Sequence, residues 1–187
     1  MQKSHEKAVH ETPLVFLRSL EIEDAERIYK WHNDPSLYNS LLSPFRYVSL
    51  SVVEEWLRKK QSYSNHEINW AIYLTINSQH VGNIYLRNID WISRHGELNI
   101  FIGDAEQRAK GYGKAAVRLL IEYALKDLGL QRLYLFVLKD NISAIKMYEK
   151  CGFTTEGELR GHIFKDSQFK DVLIMGLCAG DVPIQSC

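Results

Sequence analysis

Three apolar segments follow one another between residues 69 and 103 with little room between them: NWAIYLTI (69–76), VGNIYLRNID (81–90) and GELNIFIG (96–103). Only NSQH separates the first two. Alternating side chains and a high β-branched content mark them as strands, and the short turn makes the first pair a hairpin. This meander constrains the chain most, because every other element must be added to an antiparallel sheet. Upstream, LVFLRSL (14–20) reads as a further strand. A helix follows, with Ile22, Ala25, Ile28, Tyr29 and His32 on one face. Its first turn holds Glu21, Glu23, Asp24 and Glu26, acids expected to complement the positive end of the helix dipole. WHNDPS (31–36) stops that helix with turn chemistry. A second helix spans about 49–62, with Ser51 and Glu54 spaced as a capping box.

The second half has a different rhythm. Residues 111–128 carry Val117, Leu120, Ile121, Ala124, Leu125 and Leu128 on one helical face. Lys114, Arg118, Glu122 and Lys126 form the opposite row, with Glu122 and Lys126 as an i,i+4 pair. Gly129 closes the helix, and RLYLFVL (132–138) reads as a buried strand. A short helix over 141–150 stops at Gly152, and two further strands make a closing antiparallel pair. The expected class is α/β with a mixed sheet.

Composition removes several kinds of function. The chain has 187 residues, 45% of them hydrophobic, with 23 basic and 23 acidic side chains. That balance gives no global electrostatic case for a nucleic acid or an anionic membrane surface, so any anion site must be local. Cys151, Cys178 and Cys187 fit no metal spacing, and no metal site is expected. They read as free, mostly buried thiols of a reducing compartment. No apolar run reaches the roughly 18 residues of a membrane span. Residues 1–12 and 181–187 read as polar tails around one domain over 13–180, and a cytoplasmic protein is expected.

The local anion site is found in QRAKGYGKAA (107–116). The P-loop pattern fails, since Arg108 and Ala115 occupy positions that need glycine and a hydroxyl. GYGKAA fits G-x-G-x-x-A, but a dinucleotide loop joins strand to helix directly, and here residues 103–110 intervene. A third reading fits the loop's length. Backbone amides leading into a helix N-terminus make a concave anion site. Gly111 and Gly113 permit close approach, while Arg108, Lys110 and Lys114 add positive charge. A solvated basic surface loop remains open on the glycines alone.

The order Arg108-x-x-Gly111-x-Gly113, amphipathic helix, apolar strand, Asn141-x-x-Ala144-x-x-x-Tyr148-Glu149-x-x-Gly152-Phe153 and closing hairpin resembles the GNAT family of acetyl-CoA-dependent N-acetyltransferases. The core of the match covers about residues 96–177. LVFLRSLEIEDAERIYKWHNDPS is similar to the opening of the branch that contains ribosomal-protein N-terminal alanine acetyltransferases, a branch that also holds spermidine and amino-sugar acetyltransferases.

The resemblance implies a mostly antiparallel sheet whose two central parallel strands, 96–103 and 132–138, splay around the pantetheine arm of coenzyme A. The loop from Arg108 through Ala109, Lys110, Gly111, Tyr112 and Gly113 to Lys114 would hold the pyrophosphate. Asn141 and Ala144 would meet the cofactor, and Tyr148 would face the thioester sulfur. Asn141 and Tyr148 are seven residues apart and so share a helix face. Asn141 also suits an N-cap, and Tyr148 suits a core aromatic.

Acetyl transfer to an amine needs a neutral nucleophile, donors for the carbonyl oxygen and a proton for the leaving thiolate. Tyr148 is the expected acid. Backbone amides at Ile100, Phe101 and Ile102 are candidates for the oxygen. Glu97 shares a strand face with Asn99 and Phe101 and is the chosen base, with a solvent carboxylate as the alternative. Trp31 and Tyr38, with His32, Phe45 and Tyr47 nearby, are candidates for the acceptor wall, which is expected between residues 31–49 and the hairpin near 160–169. Core packing is the other reading of these aromatics. The acceptor is a primary amine of undetermined identity, and a homodimer is left open. The rival function is a non-catalytic acyl-CoA-binding sensor or interaction protein.

Overall fold

The computed structural model describes residues 13–61 and 64–181. The tails expected at 1–12 and 181–187 lie outside it, apart from Asp181, whose Oδ2 accepts the Cys178 amide at 3.3 Å. Cys187 also lies outside the described residues.

Seven strands form one sheet: β1 (Val15–Ser19), β2 (Ile68–Leu74), β3 (His80–Asp90), β4 (His95–Ile102), β5 (Arg132–Leu138), β6 (Thr154–Lys165) and β7 (Gln168–Cys178). Their order is β1-β2-β3-β4-β5-β7-β6. Every pairing is antiparallel except β4 with β5. The meander of residues 68–102 is therefore as expected, with β3 at its centre. Residues 80–86 of β3 are all buried, because both faces of a central strand are covered.

Helices cover the sheet on both sides. α1 (Ala25–His32), α2 (Pro35–Tyr38) and α3 (Leu50–Gln61) bury Ile28, Leu37, Val53 and Leu57 with Ala71 and Tyr85 in one core. α4 (Tyr112–Glu122) and α5 (Ile142–Glu149) bury Val117, Leu120, Ile121, Ile145 and Tyr148 with the other face of the sheet. Removing one fully buried leucine such as Leu120 from a core of this kind costs about 2–5 kcal/mol.

Several local details differ from the sequence reading. The stop at 31–36 contains a helical turn of its own, since the Asp34 carboxylate accepts the Ser36 amide at 2.9 Å and Pro35 opens α2. At α3 the capping oxygen belongs to Ser49, which receives the Val52 amide at 3.4 Å; Ser51 Oγ contacts Ser49 Oγ instead. After α4 the helix widens into a π turn over Tyr123–Asp127 before Gly129 ends it at φ +67°. The Glu122–Lys126 ion pair forms at 2.8 Å. Cys151 is half-buried but Cys178 is exposed, because it ends β7 beside the Arg132–Glu156 pair.

Asp24 departs most from expectation. It is buried and accepts bonds from Arg18 (2.9 Å), Tyr73 (2.8 Å) and the Glu21 amide (2.9 Å). His80 Nδ1 lies 3.3 Å from the same carboxylate, off the hydrogen-bonding direction. Asp24 thus ties β1, β2 and β3 to the start of α1.

Candidate active site

β4 and β5 stay together for three residue pairs, His95↔Arg132, Gly96↔Leu133 and Glu97↔Tyr134. Beyond Glu97 each follows its antiparallel partner. β4 keeps β3 as far as Ile102↔Gly82, and β5 keeps β7 as far as Leu138↔Val172. The parallel contact is abandoned and a V opens in the sheet. Backbone groups along its two edges no longer have a strand to bond, which is the requirement for holding an extended ligand. The Gly103 amide bonds Val81 in β3 at 2.9 Å. By strand alternation the Phe101 amide also faces β3, while those of Ile100 and Ile102 face the V.

A cleft of about 990 Å³ occupies this opening. One side is built by α4, α5 and the loop between β4 and α4. Ala109 (φ +61°) and Gly111 (φ +88°) both adopt left-handed backbone, and this curls the loop onto the first turn of α4. The amides of that turn have no intrahelical acceptor. Arg108, Ala109, Gly111, Gly113 and Lys114 line the cleft here; Lys110 and Tyr112 do not. Lys110 reaches back to Gln107 at 3.2 Å, and Tyr112 packs on the core. The Arg108 guanidinium is engaged by the loop's own backbone. It donates to the carbonyls of Ile102 and Gly103, each at 3.0 Å, and so clamps the loop to the end of β4.

α5 supplies the inner wall. Asn141 caps it by accepting the Ala144 amide at 3.1 Å, and both residues line the cleft. The Asn141 side chain also donates to the Ser40 carbonyl at 3.3 Å, tying α5 to the loop after α2. Tyr148 follows on the same face. It is 7% exposed, packs edge-on against Phe153, and its hydroxyl has no hydrogen-bond partner among the described residues. Burial, with Cys151 beside it, pushes the phenol above its ordinary pKa. It is therefore neutral and able to donate at neutral pH.

The opposite side belongs to β3, β4, α1 and α3. Tyr85 and Phe101 pack toward α1 and α3, so Arg87, Glu97 and Asn99 point the same way by alternation. Glu97 is held by two amides, from Asn88 at 2.7 Å and Asn99 at 2.8 Å. His32 also lines this side. Its Nδ1 lies 2.7 Å from the Tyr38 hydroxyl, and burial lowers its pKa.

The structure thus brings Tyr148, Glu97, residues 100–102, Asn141, Ala144 and most of the 108–114 loop to one cleft. It does not bring Trp31 or Tyr38 there. Trp31 is buried against Gly103, Phe101 and His80, and Tyr38 backs the wall through His32. Nor does any residue of 160–169 line it. Tyr85, Arg87 and Trp56 were not singled out from the sequence. Arg87 lies opposite Glu97 across the β3–β4 ladder, but that register is fixed only on folding.

Residues 15–154 match the family model for the GNAT acetyltransferase domain. The chain belongs to the GNAT acetyltransferase family. As a GNAT protein it is an acetyl-CoA-dependent N-acetyltransferase that transfers the acetyl group to an amine. This GNAT chain is 29% identical over 164 residues to spermidine N(1)-acetyltransferase of Escherichia coli strain K12, covering 86% of the chain and 84% of the relative. Its identity to YdaF of Bacillus subtilis, named as a candidate ribosomal N-acetyltransferase, is 26%, covering 86% and 83%. Among solved structures, spermidine N-acetyltransferase from Vibrio cholerae in complex with CoA and spermine superposes with a TM-score of 0.83 at 26% identity, covering 91% of this GNAT chain and 98% of that one.

Proposed function

We propose that the two sides of the cleft divide the acetyl transfer between them, with coenzyme A on the α4–α5 side and the amine on the α1–α3 side. The residues of the V fit an extended cofactor: unpaired strand edges for the pantetheine, first-turn amides of α4 for the pyrophosphate, and Asn141 between them. Acetyl-CoA supplies an activated thioester. Glu97 accepts a proton from the incoming ammonium, directly or through water, and the neutral nitrogen attacks the thioester carbonyl. The Ile100 and Ile102 amides face the developing oxyanion. The C–S bond breaks, and Tyr148 gives its proton to the departing thiolate. The product nitrogen then returns a proton to the phenolate, so the amide and the free CoA thiol are released with Tyr148 neutral again, and Glu97 passes the ammonium's proton to solvent.

One observation carries this reading: a buried, neutral phenol stands on the same helix face as Asn141, at the wall of the V. Thiol release from acetyl-CoA across peptide termini, polyamines and amino sugars tests it. In Tyr148→Phe, kcat is expected to fall about 10²–10⁴-fold while the CoA Kd stays within a few-fold. Unchanged turnover removes Tyr148 as the acid. Spermidine belongs in the panel because relatives carry that name.

The same proposal places the protein in the cytoplasm. Its support is that Cys151 and Cys178 are unpaired, and that no helix among the described residues is long and apolar enough to cross a membrane. It also includes a homodimer, for which the exposed Phe164 and Phe169, packed edge-to-face, are available surface. Sedimentation of the wild type against Phe169→Ser tests that part.

A further inference from the structure

We infer that the acceptor is an α-amino acid with an apolar side chain, bound through its carboxylate by Arg87 and through its amine near Glu97. This rests on the acetyl-transfer reading of the cleft and names the acceptor class it serves. Charge is the first argument. Of the six Arg, Lys, Asp and Glu residues that line the cleft, Arg108, Lys114, Lys146 and Lys150 belong to the α4–α5 side. The amine side holds Arg87 and Glu97. A polyamine carries several ammonium groups at neutral pH, since such amines titrate near about 10.4. It would find one carboxylate here, with an arginine beside it. Asp34, the single acid of residues 33–49, is already engaged, capping α2 and lying 4.0 Å from Arg108.

Geometry is the second argument. Arg87 and Glu97 are direct cross-strand partners on one face of the sheet, a spacing of roughly 4.5–5.5 Å between Cβ atoms. Yet no salt bridge joins them. Both Glu97 oxygens are taken by Asn88 and Asn99. Arg87 Nε is buried without a partner, and the guanidinium carbon lies over the Tyr85 ring, 4.5 Å from its centroid. An arginine presented in this way is a fork waiting for a planar acceptor such as a carboxylate. The amine and carboxylate of an α-amino acid are separated by one carbon, which matches two oppositely charged side chains standing side by side. Val52, Val53 and Trp56 of α3 then provide an apolar wall for its side chain.

The experiment compares L-leucine, L-leucinamide, a tetrapeptide beginning with leucine, and spermidine, each with acetyl-CoA and a thiol readout. The wild type is expected to use leucine with a kcat/KM at least tenfold above the other three. Arg87→Gln, checked for unchanged melting temperature and CoA affinity, is expected to raise the leucine KM at least tenfold and bring it level with leucinamide. A preference for spermidine or the peptide in the wild type overturns the inference, whatever becomes of the variant. So does a leucine preference that survives Arg87→Gln. Absence of thiol release with every amine, while CoA still binds, counts against acetyl transfer itself and is distinguishable from these results.

Discussion

Asp24 and Arg108 are charged residues that the fold spends on architecture. Burial alone would raise the Asp24 carboxyl, but the nearby His80 ring and the bonds from the Glu21 amide and Tyr73 outweigh it and hold the group well below the usual carboxylate range. A depressed folded pKa contributes stability that is complete above the unfolded value of about 3.9 and is lost progressively as pH falls from there to the folded value. Urea midpoints of the wild type should therefore start to drop below about pH 5 and go on dropping below about pH 3, and Asp24→Asn should show a flatter profile from a lower start. At neutral pH Asp24→Ala should cost about 3–5 kcal/mol, because it leaves Arg18 and Tyr73 without their shared partner. Arg108 is separable from a phosphate ligand by chemistry. A fork that clamps two carbonyls cannot be replaced by a point charge. Arg108→Lys should raise the CoA Kd about as much as Arg108→Ala, roughly tenfold, as read by calorimetry; rescue by lysine would argue for direct phosphate contact.

At the scale of elements, the cleft wall depends on a hairpin that does not line it. Lys165, at the end of β6, is buried, and its ammonium donates to the carbonyls of Tyr38 and Leu41. Burial lowers its pKa. Asn141 holds the same loop from the other direction through Ser40. The loop of residues 38–43 is thus pinned between the closing hairpin and α5. Lys165→Met keeps most of the stem but removes both bonds. It should cost about 1–3 kcal/mol and speed amide exchange in residues 38–43, with CoA affinity little changed. On the cofactor side, Gly111→Val puts a β-branched residue at φ +88°, a strain of about 1–2 kcal/mol. If the loop responds by uncurling, the CoA Kd should rise about tenfold, whereas normal affinity would undercut the pyrophosphate assignment.

At the scale of the whole molecule, the splay of β4 and β5 is an opening in an otherwise continuous sheet, with a separate core on each face. A ligand that lies along both edges joins the two halves. Ligand at a hundredfold over its Kd should stabilise the protein by about 2.7 kcal/mol, a rise of about 5–10 °C in Tm for a chain of this size. Scanning calorimetry with and without CoA reads this directly. A shift confined to one of two separate transitions would mean that the halves on either side of the V unfold independently.

Much of this was legible in the linear chain. Period-two and period-3.6 patterns depend on neighbours a few residues away, so the meander, α4, β5 and α5 could be read from residue order alone. Asn141 and Tyr148 were legible together for the same reason, since one helix turn repeats within their spacing. The glycine loop was legible because left-handed backbone favours glycine, although Ala109 adopts it too. What sequence could not supply was pairing across distance. The register that sets Arg87 against Glu97, the turn of Arg108 back onto β4, the burial of Trp31 behind Gly103 and the pinning of residues 38–41 by Lys165 all join segments far apart in the chain or choose between two faces of one element. Such choices are made by packing, because only the assembled sheet and helices determine which polar groups lose water and must find a partner. The sequence carried the pattern of a mixed sheet and the motifs of an acetyl-CoA-dependent family; tertiary structure decided which side chains line the cleft.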